Sequence, residues 1–451
     1  MIGVVRNDYR SWGGTLRASH RVVRPHSTDK VVQVLRDHVG VALAYGCGRS
    51  YGDAALNPDG LLIDCRSLDR FIAFDRSSGR LECEAGLQLA DILTVVCRPE
   101  EDGSGWFLPV SPGTRFVTVG GAIASDVHGK NHHRSGTFGS HVLSLELARS
   151  DGSVSVCSLQ DNASLFQATL GGLGLTGIIL CATIQLRRVN GLALELENIR
   201  FDSLNDFWDL STESDGAWEY TAAWVDTLAN GQSFGRGIFS RARHSAGLRA
   251  EPPPRAPTLT VFMTPPVSLV NRYTTRGFNA IYWRCQAHGP RFGNYEALLY
   301  PLDALGLWNR LYGPAGFFQF QCVIPPADAR EGISELLRCI VDSGEGSMLA
   351  LLKSFGALPS PGLLSFPMPG VTLALDFPNR GAATRKLLAH LEYMVMEMSG
   401  RIYPAKDCLM QQDSFLRGYP RLSEFLPLMD PGLSSAFARR VGLVKPQERQ
   451  I

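Results

Sequence analysis

An α+β fold in two unlike parts is what the sequence predicts, on three observations. Up to about residue 190, short β-type runs closed by turns alternate with helical periods. From about residue 191 the runs lengthen and alternate in polarity, as in LALELENIRF and YTAAWVDTL, the pattern of a broad antiparallel sheet with unlike faces. A chain of 451 residues also exceeds one ordinary core, which sets an expectation of about two or three domains.

The elements follow in order. HSTDKVVQVLRDHVG offers Ser27 or Thr28 as a helix N-cap and leads into the strand VALAYG. GLLIDC, RFIAFD, the turn RSSGR and LECEAG are short β-type runs, and LQLADILTVV returns to helical period. HVLSLELARSDGSVSVCS reads as a hairpin turning at Ser150-Asp151-Gly152, since Asp-Gly supplies the positive φ of a tight turn. NASLFQATLGG is a capped helix and TGIILCATIQL a buried strand. In the second part, the stretch 249–269, RAEPPPRAPTLTVFMTPPVSL, is apolar and proline-rich at once and is expected to be a mobile loop.

Composition narrows the function. With 45% hydrophobic and 19% charged residues, and no polar tract, long disorder is not expected. The 44 basic and 43 acidic residues nearly cancel, which argues against a nucleic-acid partner held by bulk charge. The ten cysteines show no paired spacing, so buried thiols in a reducing compartment are expected rather than disulfides or a zinc ribbon. No signal peptide or 18-residue apolar span is seen, giving a cytoplasmic expectation. Only six of the basic residues are lysines, so Lys130, Lys353 and Lys406 stand out inside motifs.

GGLGLTG contains a formal G-x-G-x-x-G at Gly172, Gly174 and Gly177, but a helix precedes it and a strand follows, the reverse of a Rossmann turn. GCGRSYGDAALNPDG, residues 46–60, follows a strand and continues as a loop. Its glycines allow close backbone approach, and consecutive N–H groups there can cradle an anion; a phosphate nest and a plain glycine turn both stay open. PVSPGTRFVTVGGAIASDVHGKNHH, 109–133, is a second glycine- and donor-rich stretch, and two such loops suit a dinucleotide held without a Rossmann fold. His128, His132 and His133 suggest a metal by count, yet Gly129 interrupts the i, i+4 pairing and no glutamate supports it, so no metal is expected. G-x-S-x-G and Walker signatures are absent, which leaves hydrolase and NTPase readings unsupported.

GRSYGD, PGTRFVTVGGAIASDVHGKNHH, GGLGLTGII, WNRLYGPAGFFQFQCVIP and RIYPAKD resemble, in order and spacing, the decaprenylphosphoryl-β-D-ribose 2'-oxidase family. That family is the flavin subunit of the arabinan-precursor epimerase and is of the vanillyl-alcohol-oxidase type; the resemblance runs from residue 11 to about residue 440. It implies an FAD-binding domain of the PCMH type over 1–190, a substrate domain over 191–397, and a segment 398–451 returning to the FAD domain. It places FAD against Gly46, Gly48, Arg49, Ser50, Tyr51, Gly52, Asp53, Gly113, Thr118, Val119, Gly120, Gly121, Ser125, His128, Ile179 and Tyr403. Arg49 stands where many related oxidases carry the flavin-linking histidine, which implies non-covalent FAD.

The implied reaction is oxidation of the ribose 2'-hydroxyl of a polyprenyl-phosphoryl ribose to a 2'-keto sugar, which a short-chain reductase partner then converts to the arabinose epimer. Lys406, Lys353 and His128 are the implied catalytic residues, with Trp224, Asn309, Arg310, Gln319, Gln321, Phe355 and Thr372 lining the substrate. By type alone, Trp224 and Phe355 could equally be core. The chain departs from some members at Ala374, a cysteine there, and at Thr372, Leu299 and Tyr300, so thiol-directed inhibitors are not expected to label it at Ala374. The alternatives are an alditol or aldonolactone oxidase passing electrons to oxygen, and a flavin-binding subunit without turnover. The loop 252–269 is expected to meet the lipid tail or a membrane surface, a peripheral contact at the inner membrane.

Overall fold

In a computed structural model, which describes residues 3–246, 259–286 and 289–443, the first part of the chain builds two larger sheets beside a two-stranded one of Gly105–Phe107 and Arg187–Val189. The smaller has four strands in the order Val4–Arg6, His20–Val23, Leu61–Asp64 and Ala42–Tyr45. The larger has five, in the order Phe71–Asp75, Arg80–Glu84, Ile178–Gln185, Val142–Ala148 and Val154–Ser158. The expected helices occur at Thr28–Asp37, Leu89–Val96 and Ala163–Thr169, and the Asp-Gly hairpin turns with Gly152 at φ 82°. GGLGLTG joins the last of these helices to the strand Ile178–Gln185, helix first.

The second part is built on an antiparallel sheet of eight strands. Its order is Gly289–Gly293, Leu194–Phe201, Gly237–His244, Tyr220–Val225, Ala350–Phe355, Gly370–Pro378, Phe317–Ile324 and Arg401–Ile402. Register separates its faces, because successive side chains of a strand point to opposite sides. Leu352 pairs with Leu373 and Leu373 with Cys322; Phe320 pairs with Leu375 and Phe318 with Phe377. These residues are buried against the helices Ala329–Ser343 and Ala382–Glu397 through Ile333, Leu336, Leu337, Leu388, Leu391 and Val395. One residue along in each strand, Lys353 pairs with Thr372, Gln321 with Ala374 and Gln319 with Asp376, so the opposite face is polar and turns toward the glycine loops of the first part.

The chain after residue 398 contributes to both parts. Arg401–Ile402 extends the eight-stranded sheet beside Phe317–Ile324. Farther on, the Ala42 amide donates to the Gly432 carbonyl, and the Ser434 and Ala436 amides donate to the carbonyls of Ala42 and Leu56. Arg440 forms a two-pronged ion pair with Asp53, at 2.8 Å for each contact.

Of the stretch expected to be a mobile loop, residues 249–258, with the proline tract, lie outside the described residues. The rest is anchored: Leu259–Thr260 pairs with Leu305–Gly306, and Arg310 donates to the carbonyls of Val261 and Phe262 at 2.9 and 2.7 Å. The helix Arg272–Cys285, capped by the Asn271 side chain, was not foreseen. Among the described residues no helix is long and apolar enough to cross a membrane.

Candidate active site

The HGKNHH stretch is clamped between the two parts. The Thr221 amide donates to the Lys130 carbonyl, and the Lys130 ammonium reaches the carbonyls of Leu298 and Leu299 at 2.6 and 3.3 Å. His128, buried, is thereby set against the polar face of the sheet. Gln321 Nε2 donates to His128 Nε2 at 3.0 Å and to Thr372 Oγ1 at 3.2 Å. With Nε2 accepting, the imidazole proton sits on Nδ1, 3.4 Å from Lys353 Nζ. Phe355 packs edge-on to His128 at 4.8 Å between ring centres, and Phe366 stacks on Tyr403 at 4.6 Å beneath it.

Lys406 comes from the turn after Arg401–Ile402, whose bonds from the Lys406 and Asp407 amides to the Tyr403 carbonyl aim the side chain inward. The loop 51–53 packs directly on this turn: the Tyr51 amide donates to the Ala405 carbonyl, and a Cβ on Gly52 would lie 1.6 Å from the Asp407 carbonyl oxygen. Glycine at 52 is therefore a steric requirement. The result sets the Lys406 ammonium 4.0 Å over the Tyr51 ring. Asp376 completes the group; it is fully buried, accepts from Gln319 Nε2 at 2.6 Å, and its other oxygen has no partner among the described residues.

Desolvation dominates the electrostatics, since burial penalises whichever form is charged. It lowers Lys353 from 10.5 to about 7, with the charges of Lys130 and Lys406 adding to the effect. It lowers Lys406 to about 8, where Asp376 opposes the shift and Arg49 reinforces it. Lys130 falls to about 8, and Asp376 rises to about 7 although Gln319 and Lys406 favour its charged form. His128 is held well below its ordinary value by burial and by Lys353, His132 and Lys406, so it is neutral. Lys130, Lys353 and Lys406 are each half-buried.

The glycine loops suit an anionic cofactor. The amides of Cys47, Gly48, Arg49 and Ser50 donate to no protein acceptor among the described residues, and a Cβ added at Gly113 would meet nothing within 4 Å. Arg49 lies over the Trp12 ring at 4.0 Å, and its Nε is buried without a partner among the described residues. A phosphate-bearing group would satisfy these donors.

Not every expected site residue points inward. Asp53 is committed to Arg440, and the Val119 side chain is fully buried in the core, leaving only its backbone near the loop. Thr118 accepts from the Gly121 amide at 3.1 Å, Gly120 donates to the Ala85 carbonyl, and Ile179 packs among core residues opposite Leu147. Ser125 contributes a carbonyl that accepts from the Tyr403 hydroxyl at 2.8 Å. Trp224 lies on the polar face but spends its Nε1 on the Met348 carbonyl and its ring on Tyr282. Asn309 bonds the Trp12 carbonyl and Arg310 clamps 261–262, so neither is brought to the His128–Lys353 cluster. His132 is buried on Phe355 at 4.5 Å with both ring nitrogens unpartnered among the described residues, and burial beside Lys353 lowers it to about 4. Asp376 was missed; its signal was the alternation Thr372, Ala374, Asp376 within an otherwise apolar strand.

Residues 19–158 match the model of the FAD-binding domain family, and this match, with the mixed sheets and the polar inner face, defines a two-part FAD-dependent oxidoreductase of the vanillyl-alcohol-oxidase type acting on alcohol groups. The chain is 36% identical over 425 residues to decaprenylphosphoryl-β-D-ribose oxidase of Mycolicibacterium smegmatis, covering 89% of each chain. It belongs to the decaprenylphosphoryl-β-D-ribose oxidase family. An uncharacterized protein of Streptomyces coelicolor is 35% identical over 75% of this chain and 96% of its own. L-gulonolactone oxidase of Mus musculus is 32% identical but matches only 39% of this chain, so the lactone-oxidase reading is the more distant one.

Proposed function

We propose that this protein oxidises the 2'-hydroxyl of a polyprenyl-phosphoryl-β-D-ribose to the 2'-keto sugar, the step before a short-chain reductase completes epimerisation. The observation that carries the proposal is the convergence of Lys353, Lys406, His128, Gln321 and Asp376 on one polar sheet face beside the unpaired amides of 47–50. FAD would be held non-covalently by those amides, by Arg49 and by the open backbone at Gly113, and would supply two-electron acceptor chemistry for the carbinol hydrogen.

The protein's own groups divide the remaining task. Lys353, lowered to about 7, offers a neutral amine in useful amount at neutral pH and accepts the hydroxyl proton. The His128 ring lies against that amine at 3.4 Å and limits where it can move, and Gln321 holds the ring from its other side. Lys406, at about 8, stays largely protonated, and between Tyr51 and Asp376 it holds the substrate's anionic oxygen. Phe355 and Phe366 close the side of the site against water.

Anaerobic mixing of the purified flavoprotein with polyprenyl-phosphoryl ribose, the arabinose lipid and free sugars tests this. Bleaching of the flavin band by the ribose lipid is expected. Bleaching by a free alditol or lactone, with none by the ribose lipid, would replace the proposal with the lactone-oxidase reading.

A further inference from the structure

Between Glu251 and Glu296 the sequence holds five arginines, Arg255, Arg272, Arg276, Arg284 and Arg291, and no acidic residue, within a chain whose charges otherwise balance. Arg255 lies outside the described residues; the other four are exposed. The same stretch carries Phe262 and Tyr273 at 85% exposure and Ile281 and Phe292 at 64%, with Met263 and Val267 also exposed.

The helix Arg272–Cys285 explains why these side chains face outward. Its inner face is mixed: Thr275 and Asn279 are fully buried, Asn279 Nδ2 donates to Asp226 Oδ1 at 2.7 Å while Arg236 holds the other Asp226 oxygen at 2.6 Å, and Tyr282 and Trp283 pack on Trp224 and beneath Arg200 and Arg236. Its outer face carries Tyr273, Phe278 and Ile281 among Arg272, Arg276 and Arg284. A helix covering a core buries its apolar stripe; this one docks through a buried amide–carboxylate–guanidinium chain and two aromatic rings, and leaves Tyr273, Phe278 and Ile281 on the outside. Thr274 ties it to the preceding segment by donating to the Leu269 carbonyl at 2.7 Å, and Phe292 follows on the edge strand Gly289–Gly293. Pro290 and Arg291 on that edge discourage pairing with another strand. A second copy of this chain would bring like charge against like.

The geometry points to this surface, centred on the helix Arg272–Cys285, as a docking face for an anionic lipid bilayer. Apolar side chains enter the headgroup boundary while the arginines meet lipid phosphates. The inference deepens the lipid-linked substrate proposed above and rests on it only for the biological reason to approach a bilayer. Vesicle binding is therefore scored without substrate, and flavin bleaching is scored separately with a short-chain soluble phosphoryl ribose.

The holoprotein is floated with phosphatidylcholine vesicles, with and without phosphatidylglycerol, and vesicle-bound flavin is measured. Binding is expected only with phosphatidylglycerol and is expected to weaken with salt. Each arginine near such a surface is worth about fivefold in partitioning, so Arg276→Gln with Arg284→Gln should lose on the order of 30-fold. Tyr273→Ser with Ile281→Ser should abolish binding, and both double variants should keep bound flavin and full bleaching by the soluble analogue. Equal binding to both vesicle types, undiminished binding of the arginine double variant, no binding at all, or self-association that Ile281→Ser removes would each overturn the inference. Loss of bleaching by the ribose substrates with vesicle binding intact would count against the proposed reaction and leave the docking face standing.

Discussion

On the helix side of the eight-stranded sheet, Leu352, Leu373 and Leu375 are fully buried among aliphatic neighbours; on the opposite side, one residue along, stand Lys353, Thr372 and Asp376. The same two strands build both faces, and a period of two separates them. The helix side gains free energy from apolar burial. The other side holds amines and a carboxyl away from water, which costs stability, and three of the chain's six lysines are gathered around it. Arginine could not serve there, because its guanidinium does not give up a proton at these pH values whereas a desolvated lysine does.

That contrast predicts opposite outcomes for substitutions on the two faces. Lys353→Met should slow anaerobic flavin bleaching by about 10²–10⁴-fold, the range for losing a positioned base, while FAD content holds. It should also stabilise the apoprotein, by about 1 kcal/mol or more, since apolar replacement of a desolvated ionic group is neutral or favourable. Burial puts the folded Lys353 at about 7, below its ordinary 10.5, so between those pH values the unfolded chain binds the extra proton. Stability therefore rises with pH across that window, and Lys353→Met should flatten the rise in a denaturation series. Leu373→Ala should do the reverse: a loss of about 2–5 kcal/mol in stability with an unchanged bleaching rate per bound flavin.

Asp376→Asn keeps an acceptor for Gln319 but removes the charge that raises Lys406. The alkaline limit of activity should shift to lower pH, with a rate loss of about tenfold on that limb, seen in the pH profile of bleaching. Gly113→Ala should have the smallest effect. No protein atom lies within 4 Å of the new methyl, so thermal stability without FAD should not change. FAD binding, measured by fluorescence quenching, should weaken by about tenfold through crowding of the cofactor.

Much of the first part was legible as local pattern, Thr28–Asp37 from its period and the 142–158 hairpin from Asp-Gly, whereas the short helix Val119–Ala124, inside the stretch expected as a second glycine loop, was not. The site was legible mainly through the quoted motifs, since His128 and Lys406 are far apart in the chain and meet only through tertiary packing of 51–53 on 403–407. Asp376 was written in the alternation of its strand, but which face of that strand meets the glycine loops depends on register with Phe317–Ile324. The helix Arg272–Cys285 escaped notice because its apolar residues lie on both faces, Tyr282 and Trp283 inward and Tyr273 and Ile281 outward, so no single apolar stripe marks an inner face.

The most direct test of the account is the pH dependence of single-turnover flavin bleaching by polyprenyl-phosphoryl ribose, in the wild type and in Lys353→Met. A rate that rises through a midpoint near 7 in the wild type, and that is slow and flat over the same range in the variant with its FAD retained, is the expected result. A wild-type rate independent of pH between about 6 and 8, or a variant that keeps the wild-type profile, would contradict the assignment of Lys353 as proton acceptor on the polar face.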